Sequence, residues 1–92
     1  MAQKVTLEQL RLLQVVCEAG SFSAAGRQLG RAQSAVSQSI QALEDILDVQ
    51  LFDRSMRYPR LTPAGVVLLE QAKQVSRQSV LFESTARAIA GG

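Results

Sequence analysis

Apolar side chains recur at helical spacing in four stretches, separated by short polar turns. Leu7, Leu10, Leu13, Val16 and Cys17 make the first stripe. Thr6-Leu7-Glu8-Gln9 reads as a capping box: the threonine hydroxyl takes a free backbone N–H and Gln9 reaches back. A helix is expected from Thr6 to Gly20, which can close it in the left-handed conformation. A short second helix is predicted over 24–29, with Phe22 as a buried anchor, an N-cap at Ser23, and Ala24, Ala25 and Leu29 inward. Gly26 inside it costs about 1 kcal/mol relative to alanine; either that cost is tolerated or two helices approach closely there. Gly30 stops this helix.

A third helix is expected over 33–47. Val36, Ile40, Leu43 and Leu47 form its apolar face, bordered by Ile46, while Ser34, Ser37, Gln38 and Gln41 line the opposite side. Solvated helix faces ordinarily carry Lys and Glu, yet this one has no charge before Glu44. The periodicity then changes. Val49-Gln50-Leu51-Phe52 alternates like a short strand, Ser55 to Pro59 holds turn formers, and Arg60-Leu61-Thr62 can return as a second strand. The tip of this β-hairpin carries Arg54, Arg57 and Arg60 with no acid between them. By itself such a cluster also suits a solubilising loop.

Thr62-Pro63 is a helix start, with Thr as N-cap and Pro in the first turn. The helix should continue to Gly91, about 28 residues and roughly 40 Å long. Gly65, Leu68, Ala72, Val75, Ser79, Phe82, Ala86 and Ile89 follow one another at alternating steps of three and four, the pattern of a heptad seam. Glu83 and Arg87 stand in the favourable i,i+4 order. A seam on a helix too long for its own domain requires a partner, most simply a second copy. Leu68, Val75, Phe82 and Ile89 are its candidate dimerisation residues.

Composition narrows the chemistry. The 92 residues hold no His and one Cys, so zinc-finger, iron–sulfur and disulfide frameworks cannot be assembled. Ser–His and Cys–His nucleophiles are excluded with them. Lys4 and Lys73 are the only lysines, and there is no glycine-rich phosphate loop. No apolar run reaches the roughly 18 residues of a membrane span, and the first residues have no signal-peptide core. Ten basic against eight acidic residues leave a net charge of +2, a mild basic bias. The expectation is a cytoplasmic, non-catalytic protein without cofactor, metal or membrane association.

Taken in order, the elements are helix, short helix, turn, helix, basic hairpin and long helix: a mainly α winged helix-turn-helix with a small β-hairpin wing and a long C-terminal linker helix. Residues 1–62 would form the DNA-binding unit and 63–92 the linker and dimerisation helix. The major groove of double-stranded DNA admits one helix, and its base edges offer donors and acceptors suited to Gln and Ser. Gln33, Ser34, Ser37, Gln38 and Gln41 lie on the half of the third helix that would enter, with Ser23 at its flank. Arg54, Arg57 and Arg60 would neutralise phosphates. Arg54, beside Asp53 and close to the strand, has a second reading as a brace for the hairpin.

The same residues carry a family resemblance. Ala19-Gly20-Ser21-Phe22-Ser23-Ala24-Ala25, Gln33-Ser34-Ala35-Val36-Ser37, Ile40 with Leu43-Glu44, Leu51-Phe52-Asp53-Arg54 and Leu61-Thr62-Pro63-Ala64-Gly65 occur in order between Leu7 and Leu69. The chain resembles the N-terminal DNA-binding domain of the LysR-type transcriptional regulators. That resemblance implies an antiparallel homodimer through the last helix. It also implies bacterial transcription control at an interrupted palindrome. A small-molecule effector would act only through a C-terminal domain of periplasmic-binding-protein type, absent from this chain; the sequence is expected to be a fragment of a longer regulator. It places Gln33, Ser34, Ser37 and Gln38 in the groove and Arg54 and Arg57 on the wing. Four positions depart from the family pattern: Gln38 where Arg is frequent, Ala32 where Ser or Thr caps the helix, Asp48 for a helix-ending Gly, and Gly26 for a common Ala. Two other readings fit the residues alone: a winged-helix regulator of another family, and a helical module for protein contacts.

Overall fold

The computed structural model describes residues 4–55 and 57–92. In order they form α1 (Leu7–Ala19), α2 (Phe22–Leu29), α3 (Gln33–Leu47), β1 (Phe52–Asp53), β2 (Arg60–Leu61) and α4 (Pro63–Gly91). The two strands pair antiparallel, Phe52 opposite Leu61 and Asp53 opposite Arg60. Each is shorter than the alternating pattern predicts: Thr62 N–H still donates to Leu51 O at 2.9 Å in the same register, but the N–H of Leu51 turns away to the Glu44 carboxylate. Met56, within the expected turn, and the first three residues lie outside the described residues.

Local chemistry sets the boundaries. The capping box at Thr6 forms in both directions: Gln9 N–H donates to Thr6 Oγ1 at 3.2 Å and Thr6 N–H to Gln9 Oε1 at 2.8 Å. Gly20 closes α1 at φ 89°. The second helix begins two residues before its expected start. Ser21, not Ser23, is the cap, its backbone extended and its hydroxyl accepting from Ala24 N–H at 3.0 Å. Leu29, expected inward, is exposed. Ala32 precedes α3 with no side-chain capping bond, and Asp48 ends it in the left-handed region at φ 54°. At α4, Thr62 Oγ1 accepts from Gly65 N–H at 3.0 Å and Pro63 opens the first turn.

One core unites the elements. Leu12, Leu13 and Val16 of α1 meet Phe22 and Ala25 of α2, Val36, Ile40 and Leu43 of α3, then Leu51, Phe52 and Ala72. On α1 the apolar stripe is rotated from the expected one: Leu12 is buried and Leu7 faces solvent. Leu68 and Leu69 pack against the same core, and α4 meets α1 more extensively than any other pair of elements. The first turns of α4 thus belong to the body of the fold, so residue 62 does not divide the core. Beyond Ser79 every residue of α4 is exposed, and the molecule extends 52 Å along its long axis.

Candidate nucleic-acid interface

The α2–turn–α3 unit is held by backbone proximity. A Cβ at Gly26 would stand 2.6 Å from the carbonyl oxygen of Arg31, so the close approach, rather than a tolerated defect, explains the glycine. Arg31 N–H donates to Gly26 O at 2.8 Å across the turn, which Gly30 makes at φ 67°. This seats α3 on α2 with Val36, Ile40 and Leu43 inward, and helical geometry leaves Ser34, Gln38 and Gln41 on the opposite side. All three are exposed, as is Gln33, while Ser37 is half-buried toward the hairpin side.

Charge is graded along α3. Its N-terminal half carries none. Exposed acids begin at Asp45, whose carboxylate accepts from Gln41 Nε2 at 3.1 Å. Gln41 is thus tethered at the edge of the polar face, and a polyanion is favoured at the N-terminal half alone. Ser23 is half-buried, its hydroxyl accepting from Arg27 Nη1 at 3.0 Å.

The hairpin is fastened to α3 by Glu44, which the sequence marks as the first charge after the polar face and as part of a family motif, with no structural role assigned. Glu44 is 4% exposed. One carboxylate oxygen accepts from the backbone N–H of Leu51 at 2.6 Å and of Phe52 at 3.1 Å; the other accepts from Arg54 Nη1 at 2.7 Å. The Arg54 guanidinium also lies 5.4 Å from the centre of the Phe22 ring, which meets Phe52 edge-on at 5.5 Å. Its second terminal nitrogen is buried without a hydrogen-bond partner. Arg54 is therefore a half-buried group at the base of the hairpin, its charge paired with Glu44. That geometry is the one its reading as a brace calls for. The signal for Glu44 was its spacing, since it borders Ile40 and Leu43 on the inward side.

Arg57 and Arg60 stay exposed, and Arg57 lies 5.5 Å from the Tyr58 ring. Nearby, Ser55 hydrogen-bonds the Asp53 carboxylate at 2.9 Å through its backbone N–H, and contacts from Ser55 hold that carboxyl below its ordinary pKa. Two arginines that the sequence reading passed over complete the charge distribution. Arg27 is exposed on α2, and exposed Arg31 donates to Ser39 Oγ at 3.1 Å, on the side of α3 away from Glu44 and the hairpin. Neither forms an ion pair among the described residues. Basic groups thus stand on both sides of an uncharged helix face.

Of the four expected dimerisation residues, Leu68 is half-buried against the chain's own core, whereas Val75, Phe82 and Ile89 are exposed, Phe82 at 77%. No group of metal-ligating side chains occurs among the described residues, and none of their helices is long and apolar enough to cross a membrane.

The model of bacterial regulatory helix-turn-helix proteins of the lysR family matches residues 7–66. The chain belongs to this family. Among relatives of this LysR-type chain, the HTH-type transcriptional regulator YhaJ of Escherichia coli O157:H7 is 41% identical over 88 residues. The match covers 96% of this chain and 30% of YhaJ. AceR of Acinetobacter baumannii is 42% identical with the same coverage of both chains. The chain thus spans about a third of the length of these relatives. The structure of the BenM DBD in its catB site 1 DNA complex superposes with a TM-score of 0.90 at 33% identity, covering 96% of this chain and 99% of that one. The winged helix-turn-helix and the family expected from the motifs are both the observed ones.

Proposed function

We propose that this LysR-type chain binds double-stranded DNA sequence-specifically, as one half of a homodimer, and thereby controls transcription in the bacterial cytoplasm. The observation that carries the reading is the α3 surface: an exposed, uncharged row of Gln33, Ser34, Gln38 and Gln41, with exposed Arg57 and Arg60 on the hairpin side and Arg31, bonded to Ser39, on the other. The amides and hydroxyls suit base edges, and the guanidiniums suit the phosphates along both walls of the groove. Ser37 reaches the same groove from the hairpin side, and Ser23 adds a backbone contact at the start of α2. Arg54 acts indirectly, by holding the wing. The likeness to the BenM DBD, whose structure is a DNA complex, supports the reading.

Dimerisation follows the outer seam of α4, where Val75, Phe82 and Ile89 extend the stripe that Leu68 begins inside the core. An effector would act through a domain outside this chain, and no catalysis, cofactor or metal is assigned. Selection from random duplex DNA tests the proposal. A recovered motif with two inverted half-sites is expected. Gln33→Ala should then relax preference at one base pair of each half-site, by about 1–3 kcal/mol of discrimination, with nonspecific affinity little changed. Equal weakening on all sequences would make Gln33 a backbone contact.

A further inference from the structure

We infer that Gln14 and Ser76 are positioning residues that fix the angle between the DNA-reading head and the protruding arm of α4, and so select the spacing between half-sites. The inference rests on the dimer reading given above.

The start of α4 is pinned at two points. Thr62 N–H donates to Leu51 O at 2.9 Å and its hydroxyl donates to Gln50 O. One turn on, Gly65 lies so close to Leu51 that a Cβ there would overlap the Leu51 carbonyl oxygen. These contacts are near one another, so they define a pivot rather than a direction. The packing of Leu68, Leu69 and Ala72 against the head sets the direction coarsely, and a hold further along the helix fixes it. Gln14 of α1 supplies it: Nε2 donates to Ser76 Oγ at 2.7 Å, with Leu10 O at 3.1 Å and Ala72 O at 3.5 Å. Ala72 is 2% exposed and lets the two helices come close enough for that bond. Ser76 stands about 16 Å beyond Gly65, and the arm runs free soon after it.

The leverage is large. From Gly65 to Gly91 the helix covers about 39 Å. A tilt of about 10° at the pivot would move its end by roughly 7 Å, the rise of about two base pairs at ~3.4 Å each. In a dimer joined through these arms, the head-to-arm angle becomes the distance between recognition helices. Two linked heads gain avidity only on half-sites whose spacing they can span together.

The test uses duplexes carrying the selected half-site in two inverted copies, the spacer varied one base pair at a time, alongside a duplex with a single half-site. The parent should prefer one spacing. Gln14→Ala and Ser76→Ala should each broaden the profile, cutting the preference over neighbouring spacers several-fold, while single half-site affinity stays within about twofold. Ser76→Thr, which keeps the hydroxyl, should retain the sharp profile. A sharp parent profile that both alanine variants reproduce would overturn the inference and leave the dimer reading intact. A flat parent profile together with a monomeric mass in sedimentation would overturn both.

Discussion

Glu44 shows how much one side chain contributes here. Its carboxylate serves two buried backbone donors of the hairpin and one guanidinium, so recognition helix and wing share a single anchor. Removing one partner of such a pair leaves the other charge and the backbone groups without compensation. Glu44→Ala should therefore lower unfolding free energy by about 3 kcal/mol in urea titration. Arg54→Ala should cost less, because the carboxylate keeps its backbone donors and the Arg54 side chain retains 29% exposure. Arg57→Ala, on the surface, should stay within about 0.5 kcal/mol of the parent. Equal losses for Glu44→Ala and Arg57→Ala would remove Glu44 from this role. By contrast Cys17 is an ordinary half-buried apolar contact, its thiol pKa pushed up by burial.

At the scale of elements, α4 has two lives. Its first turns bury Gly65 and Ala72 and pack Leu68 against the head; its last turns expose Phe82 and Ile89 at 77% and 76%. Phe82→Asp would set a charge in the outer seam and should convert a dimer to a monomer, read by sedimentation at micromolar concentration. An unchanged mass would exclude that seam. Helix positions were legible in the sequence wherever a cap or a glycine punctuated an apolar stripe: Thr6, Gly20, Gly30 and Thr62 all mark observed ends. The start of α2 was not, because Ser21 and Ser23 are both good caps and only the tertiary seat of Phe22 chooses between them. The heptad seam was legible, but its division between core and surface was not. A periodic stripe does not say which neighbour covers it. Arg54 was ambiguous for a related reason: charge clusters read as surface, and the buried carboxylate that claims one member lies ten residues away.

For the molecule as a whole, the electrostatics outweigh what +2 suggests, because the arginines beside α3 are local and the acids of α3 are confined to its far half. Arg57→Ala should weaken specific and nonspecific duplexes alike and reduce the slope of log K against log salt by about 1. An unchanged slope would mean that the wing does not touch DNA. The docking of α1 on α4 has a consequence of another kind. Gln14 bonds residues 58 and 62 positions away, so the fold is closed by a contact between its first helix and its last. Closing a loop of that length costs about 4 kcal/mol in chain entropy, before any reward from packing. The segment from α2 to α3 can organise from short-range contacts, but the head stays open along α1 until the chain past Ser76 is available. During synthesis, a polypeptide that already contains the whole recognition helix is thus not yet a finished reader. The stretch that completes the reader is also the stretch that begins the arm.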